Sequence, residues 1–328
     1  MGEALDVARV LIEPATKLLE AVQSAIGKAY EPQHIRRLAD AKAYEISAIG
    51  QAMRETSDIP ITYKRGDIEL DTTDFDSFVK RTQSRLAYQE LIKQQNIEEV
   101  VDRAYQMLEG ESPVINEPVD QGWLLRFMDS VEDISDLDLQ KLWAKILSGE
   151  IKQPKSFSLR TLETLRNISS DEAKLFEQLC DYILVAGDKC FLPRYRSLED
   201  TYKIAYGSIL RLGECGLINA DGMIGLTVNT VKGRTHITNN GKIVIVAEAE
   251  DDQQKLSISQ YPLTSVGVEI FKLLRHEVSD SYILDFAKEL KKEEGNIKIK
   301  IRAYSILEIT DGQINFEEKD LLSDNSPK

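Results

Sequence analysis

Gln140–Leu165, QKLWAKILSGEIKQPKSFSLRTLETL, is the stretch whose reading decides the fold of this chain. Leu139, Leu142, Trp143, Ile146 and Leu147 fall at i, i+3, i+4, i+7 and i+8, one broad apolar face of an amphipathic helix. Ser135 stands where an N-cap belongs, Gly149 where a helix can end, and Pro154 forbids continuation through the turn. Ser156 or Ser158 then opens a second helix with Leu159, Leu162 and Leu165 on its inner face. Each large side chain buried in this way stabilises by roughly 1.5–3 kcal/mol before entropy is subtracted, so Trp143 reads as core. Glu150 and Arg160 flank the turn, and their charges can pair across it to fix the interhelical angle. An exposed pair of that kind is worth at most about 1 kcal/mol. Trp143, Glu150 and Arg160 are the candidate elbow or partner residues. The block holds no set of residues that runs a reaction.

Toward the N-terminus the pattern stays helical. From Leu5 to about Met53, Leu11, Leu18, Val22, Ala25, Ile26 and Ala29 recur at threes and fours, with a break at Pro32. A small-residue stripe follows, in which Ala39, Ala43, Ile46 and Ile49 share one face with Ala41, Ala48 and Ala52 alongside. Such a face suits either an intramolecular bundle or self-association. Thr56 to Asp76 is polar and turn-rich. A second helical run extends from about Phe75 to Leu108, its charges alternating in sign as on a solvated face. A loop with Pro113 and Pro118 follows, and helix resumes at Trp123.

Beyond Ile168 the character changes. Ser169 and Glu172 form a capping box, and Phe176, Leu179, Cys180, Ile183 and Leu184 line the buried face behind it. A single helix is expected from about Leu198 to Cys215, with Gly216 supplying the left-handed residue after it. Short strands are expected at Leu217–Ile218, Met223–Val228, Arg234–Thr238 and Lys242–Ala247, with Asp221-Gly222 and Asn240-Gly241 as hairpin turns. Helices followed by such a wing make residues 169–250 a winged-helix-like unit. Units of this kind bind DNA or proteins. Arg194, Arg196, Lys203 and Arg211 are its nucleic-acid candidates, interspersed with Glu199, Asp200 and Glu214. Thr264 caps a further helix, a charged helix runs from Asp280 to Glu294, and Ile297–Ala303 alternates as a half-exposed strand.

The expected fold class is therefore mainly α with a smaller α+β C-terminal part. Residues 1–55 form N-terminal amphipathic helices in a helical bundle, and 56–168 a helical domain with the tryptophan block. The winged-helix-like unit is followed by a terminal α/β segment at 251–316 and a disordered tail at 317–328.

Composition narrows the function classes. Forty-two per cent of the 328 residues are hydrophobic and 29% charged, which suits a globular protein. A net charge of −14 disfavours nucleic acid bound through counterion release, and equally an anionic membrane surface. The three cysteines, Cys180, Cys190 and Cys215, lack CxxC spacing and fit reduced thiols in the cytoplasm. The N-terminal MGEALDVARVLIEP is not a secretory signal, and no apolar run reaches about 18 residues. No P-loop, GxGxxG, GxSxG or HExxH motif occurs. His34, His236 and His276 stand isolated, and Asp136/Asp138, Asp251/Asp252 and Glu289-Leu290-Lys291 lack partners for acid–base or nuclease chemistry. No catalytic residue, cofactor or metal is expected.

Two strings carry a resemblance. Leu142-Trp143-Ala144-Lys145-Ile146-Leu147, Gly149-Glu150, Pro154, Phe157-Ser158 and Arg160-Thr161-Leu162 resemble an uncharacterised bacterial domain family of unknown function. Pro14, Lys17-Leu18, Val22, Ala25-Ile26-Gly27, Tyr30, Pro32, Ile35 and Arg37, leading into Ala39, Ala41 and Ala43, are similar to the starts of the same proteins and to abortive-infection alpha proteins. The resemblance implies a link to phage defence and supplies no catalytic residues. The expected function is a cytoplasmic, non-enzymatic interaction protein that forms a homo-oligomer through its N-terminal helices. A winged-helix nucleic-acid-binding regulator and a peripheral membrane effector are the alternatives.

Overall fold

The computed structural model describes residues 11–26, 72–221, 225–229, 234–238, 241–249, 255–274, 278–293, 298–310 and 313–323. The chain divides into two compact units, Met1–Leu162 and Glu163–Lys328. Helices dominate the first, and the second combines helices with antiparallel sheets, a mixed α and α+β class. The small-residue stripe from Ala39 to Ala52 and the break at Pro32 lie outside the described residues.

In the first unit, β1 (Leu11–Ile12) pairs antiparallel with β2 (Val114–Ile115). Pro14 then opens α1 (Pro14–Ile26), at a position where its missing N–H costs nothing. The 37-residue α2 (Thr72–Leu108) contains no glycine or proline. It buries Val100, Val101, Ala104 and Leu108 near its end, whereas most side chains between Lys80 and Glu90 are exposed. α3 (Gln121–Val131) is capped by Asp120, whose carboxylate accepts from Trp123 N. α4 (Leu137–Lys152) carries the tryptophan block. Helix α1 contacts α2, α3 and α4, and α2 contacts α3 and α4. Trp123 stacks on Phe127 at 5.3 Å, and Phe127 meets fully buried Trp143 edge-on at 5.4 Å. Aromatic pairs favour these geometries.

Two local expectations for this block are corrected. The cap of α4 is Asp136, whose carboxylate accepts from Asp138 N and Leu139 N, both at 2.9 Å. Ser135 instead accepts a hydrogen bond from Asn96. Gly149 does not end the helix. The three further residues include fully buried Ile151, whose burial outweighs a glycine penalty of about 1 kcal/mol, and the helix stops at Gln153 ahead of Pro154.

The second unit begins within α5 (Leu159–Arg166), where Leu162 and Leu165 are buried and Leu159 is exposed. The capping box forms at α6 (Ser170–Cys180) as expected, with both reciprocal bonds between Ser169 and Glu172. Ile183 and Leu184 do not extend this helix. Leu184–Ala186 is β3, turned by Gly187 at φ +62° into β4 (Lys189–Pro193). The single helix expected from Leu198 to Cys215 is two helices, α7 (Arg196–Tyr202) and α8 (Tyr206–Glu214). Lys203 breaks them at φ +55°, which lets Ile204 turn into the core.

The remaining strands are β5 (Gly225–Asn229), β6 (Arg234–Ile237), β7 (Ile243–Ala249), β8 (Lys255–Pro262), β9 (Ile299–Thr310) and β10 (Gln313–Phe316). Residues Leu217–Ile218 make no strand; Ile218 forms an isolated bridge with Leu263. One sheet has the order β3-β4-β8-β5 and the other β10-β9-β7-β6, all antiparallel. Val185 and Thr238 join their edges by exchanging two backbone hydrogen bonds of 3.0 and 3.1 Å. β5 therefore pairs with β8, and the β6–β7 hairpin lies between them in sequence but in the other sheet.

Two more helices complete this unit. α9 (Ser265–Phe271) is capped by Thr264, whose hydroxyl accepts from Gly267 N and donates to Gly216 O at 2.6 Å. Gly216 itself is left-handed, φ +74°, as expected after α8. Gly267 sits so close to α8's exit that an added Cβ would lie 1.9 Å from Leu217 O. α10 (Asp280–Lys292) packs on β7 and β9 through Tyr282, Ile283, Phe286, Ala287 and Leu290. The disordered tail expected from 317 is instead held as far as 323. Asp320 accepts from Ala303 N and Leu322 N, and Leu321 N donates to Ala303 O.

Candidate functional site

The elbow after α4 is organised around Glu150, only 1% exposed. Its two carboxylate oxygens accept from Lys155 N (2.6 Å) and Phe157 N (3.1 Å), tying the turn back to the helix end. Lys155 occupies the left-handed region at φ +71°. The turn angle is thus set by a carboxylate holding backbone amides. Arg160 is exposed on α5 and lies outside this arrangement. Trp143 faces the helical core, away from solvent.

A residue that sequence reasoning passed over completes the elbow. Lys17 of α1 is 3% exposed, and its ammonium donates to Ile151 O at 2.8 Å and Ile115 O at 3.2 Å. Ile151 lies in the last turn of α4, where free carbonyls and the helix dipole favour a cation. Burial pushes the Lys17 pKa down, and the charges of Glu117 and Glu150 oppose that shift. One ammonium thus ties α1 to α4 and β2. The signal was present in the sequence: Lys17 interrupts the apolar stripe of Pro14, Leu18 and Val22. This arrangement ties α1, β2, α4 and the turn after it to one another.

Of the four nucleic-acid candidates of the second unit, three have partners within the chain. The Arg194 guanidinium lies 5.9 Å above the Tyr261 ring. Arg196 faces Asp200 at 3.8 Å, and Arg211 faces Glu172 at 3.3 Å. Lys203 is exposed at the α7–α8 turn. Glu172 itself is held at a pKa of about 2, chiefly by the Ser169 backbone N–H and hydroxyl, with Arg211 adding to the effect. The solvent side of α8 carries instead Tyr206, 52% exposed, and Leu210, 42% exposed. Neither was singled out from the sequence, because an unbroken helix from Leu198 rotates their faces differently.

Tyr182, Tyr202 and Tyr282 cluster nearby with ring centroids 4.9–6.0 Å apart. At that spacing the rings touch one another, so the cluster is packed core and not a cage for a cation. Among the described residues no group of three His, Cys, Asp or Glu side chains is placed to hold a metal, and no helix is long and apolar enough to cross a membrane.

No curated protein and no solved structure matches this chain. A family model does, over residues 80–287, nearly two thirds of the sequence, spanning α2's exposed stretch, the tryptophan block and most of the second unit. The chain belongs to the family described as Protein of unknown function (DUF2806).

Proposed function

We propose that this chain is a non-enzymatic bacterial interaction protein whose residues 170–271 form a winged-helix-like unit used to meet proteins. The order α6, β3–β4, α7, α8, β5, β8, with β8 central between β4 and β5, supports a winged-helix topology. In that reading β5 and β8 are the wing strands, so the unit reaches beyond residue 250. The helix that would enter a DNA groove is α8. The observation that carries the protein-binding reading is its solvent face, which offers Tyr206 and Leu210 while Arg211 is engaged by Glu172. Phosphate recognition needs several unengaged cations on such a face.

The decisive measurement is an anisotropy titration with random duplex DNA at two salt concentrations. We expect nothing tighter than about micromolar at physiological salt. Submicromolar binding that is lost on charge reversal of Arg194, Arg196 and Lys203 would sink this reading and promote a regulator. Assembly through the N-terminal helices is the second part of the proposal. Light scattering at tens of micromolar, where interfaces of about standard size hold, should give an oligomer. A place in phage defence rests on the resemblance of the N-terminal string alone. An unchanged efficiency of phage plating with and without the gene would remove it.

A further inference from the structure

We draw no further inference here: the strongest candidate, the exposed stretch of α2 between Lys80 and Glu90 with Leu86 and Tyr88 turned to solvent, is a helix face for which nothing in the structure shows what covers it.

Discussion

Among the described glycines, Gly267 has the least room for a side chain. Its Cα hydrogen faces Leu217 O, and Gly267→Ala would put a methyl group inside the carbonyl's radius. Backbone on both sides leaves nothing flexible to give, so the substitution should cost about 3 kcal/mol or more. A chemical denaturation curve with an unchanged midpoint would refute the close approach. Lys17 and Glu150 make a second case, with opposite chemistry. Lys17→Met takes the ammonium donor from Ile151 O, while Ile115 O keeps the Glu117 N–H, and Glu150→Gln replaces one acceptor oxygen by a donor facing an amide. Each should destabilise by about 1–3 kcal/mol. Because Glu150 raises the Lys17 pKa, the two effects should be coupled by about 0.5 kcal/mol or more in a double-mutant cycle. Additive losses would mean that the two charges act separately.

At the scale of elements, the start of α6 links two helices through one carboxylate. Glu172 has a folded pKa of about 2, below its ordinary value of 4.5. A depressed carboxylate pKa contributes stability that is complete above 4.5 and is lost as the pH falls toward 2. Glu172→Gln should therefore flatten part of the stability loss in that window and leave the slope at neutral pH alone. An unchanged acid limb in a urea titration between those values would count against it. The same capping box was legible from Ser169 and Glu172 alone, because both bonds are local. So were Gly216, the Thr264 cap and the buried face of Trp143, each set by residues a turn or two away. The α7–α8 break was not, since nothing near Lys203 forbids helix; it takes the burial of Ile204 to hold a non-glycine residue at φ +55°. The elbow followed the same rule. Its charges were visible, but Glu150 found Lys155 N and Phe157 N, and the cation came from Lys17, 133 positions before Glu150. Pairing β5 with β8 was equally hidden, because a nearer strand, β6, offered itself first.

For the whole molecule, the observation that matters is how each strand of the second unit finds its neighbour. The β3–β4 and β6–β7 hairpins close locally, whereas Asn229 must meet Lys255 and Ala249 must meet Ile299. Such a chain assembles against loop-closure entropy, which is lost before the distant pairings reward it. The edge joined by Val185 and Thr238 then ties the fate of one sheet to that of the other. We expect the central strand to be ordered late on the way to the native state. Ile258→Val, at a fully buried position of β8, should speed unfolding in stopped-flow experiments while changing the refolding rate little. A refolding rate that fell as much as unfolding rose would place β8 in the nucleus. If β8 closes last, newly made chains spend their longest-lived intermediate with β4 unpaired along one edge and β5 without its strand partner. That is the stage at which they would be most open to misassembly with one another, and the insertion that parts β5 from β8 sets how long it lasts.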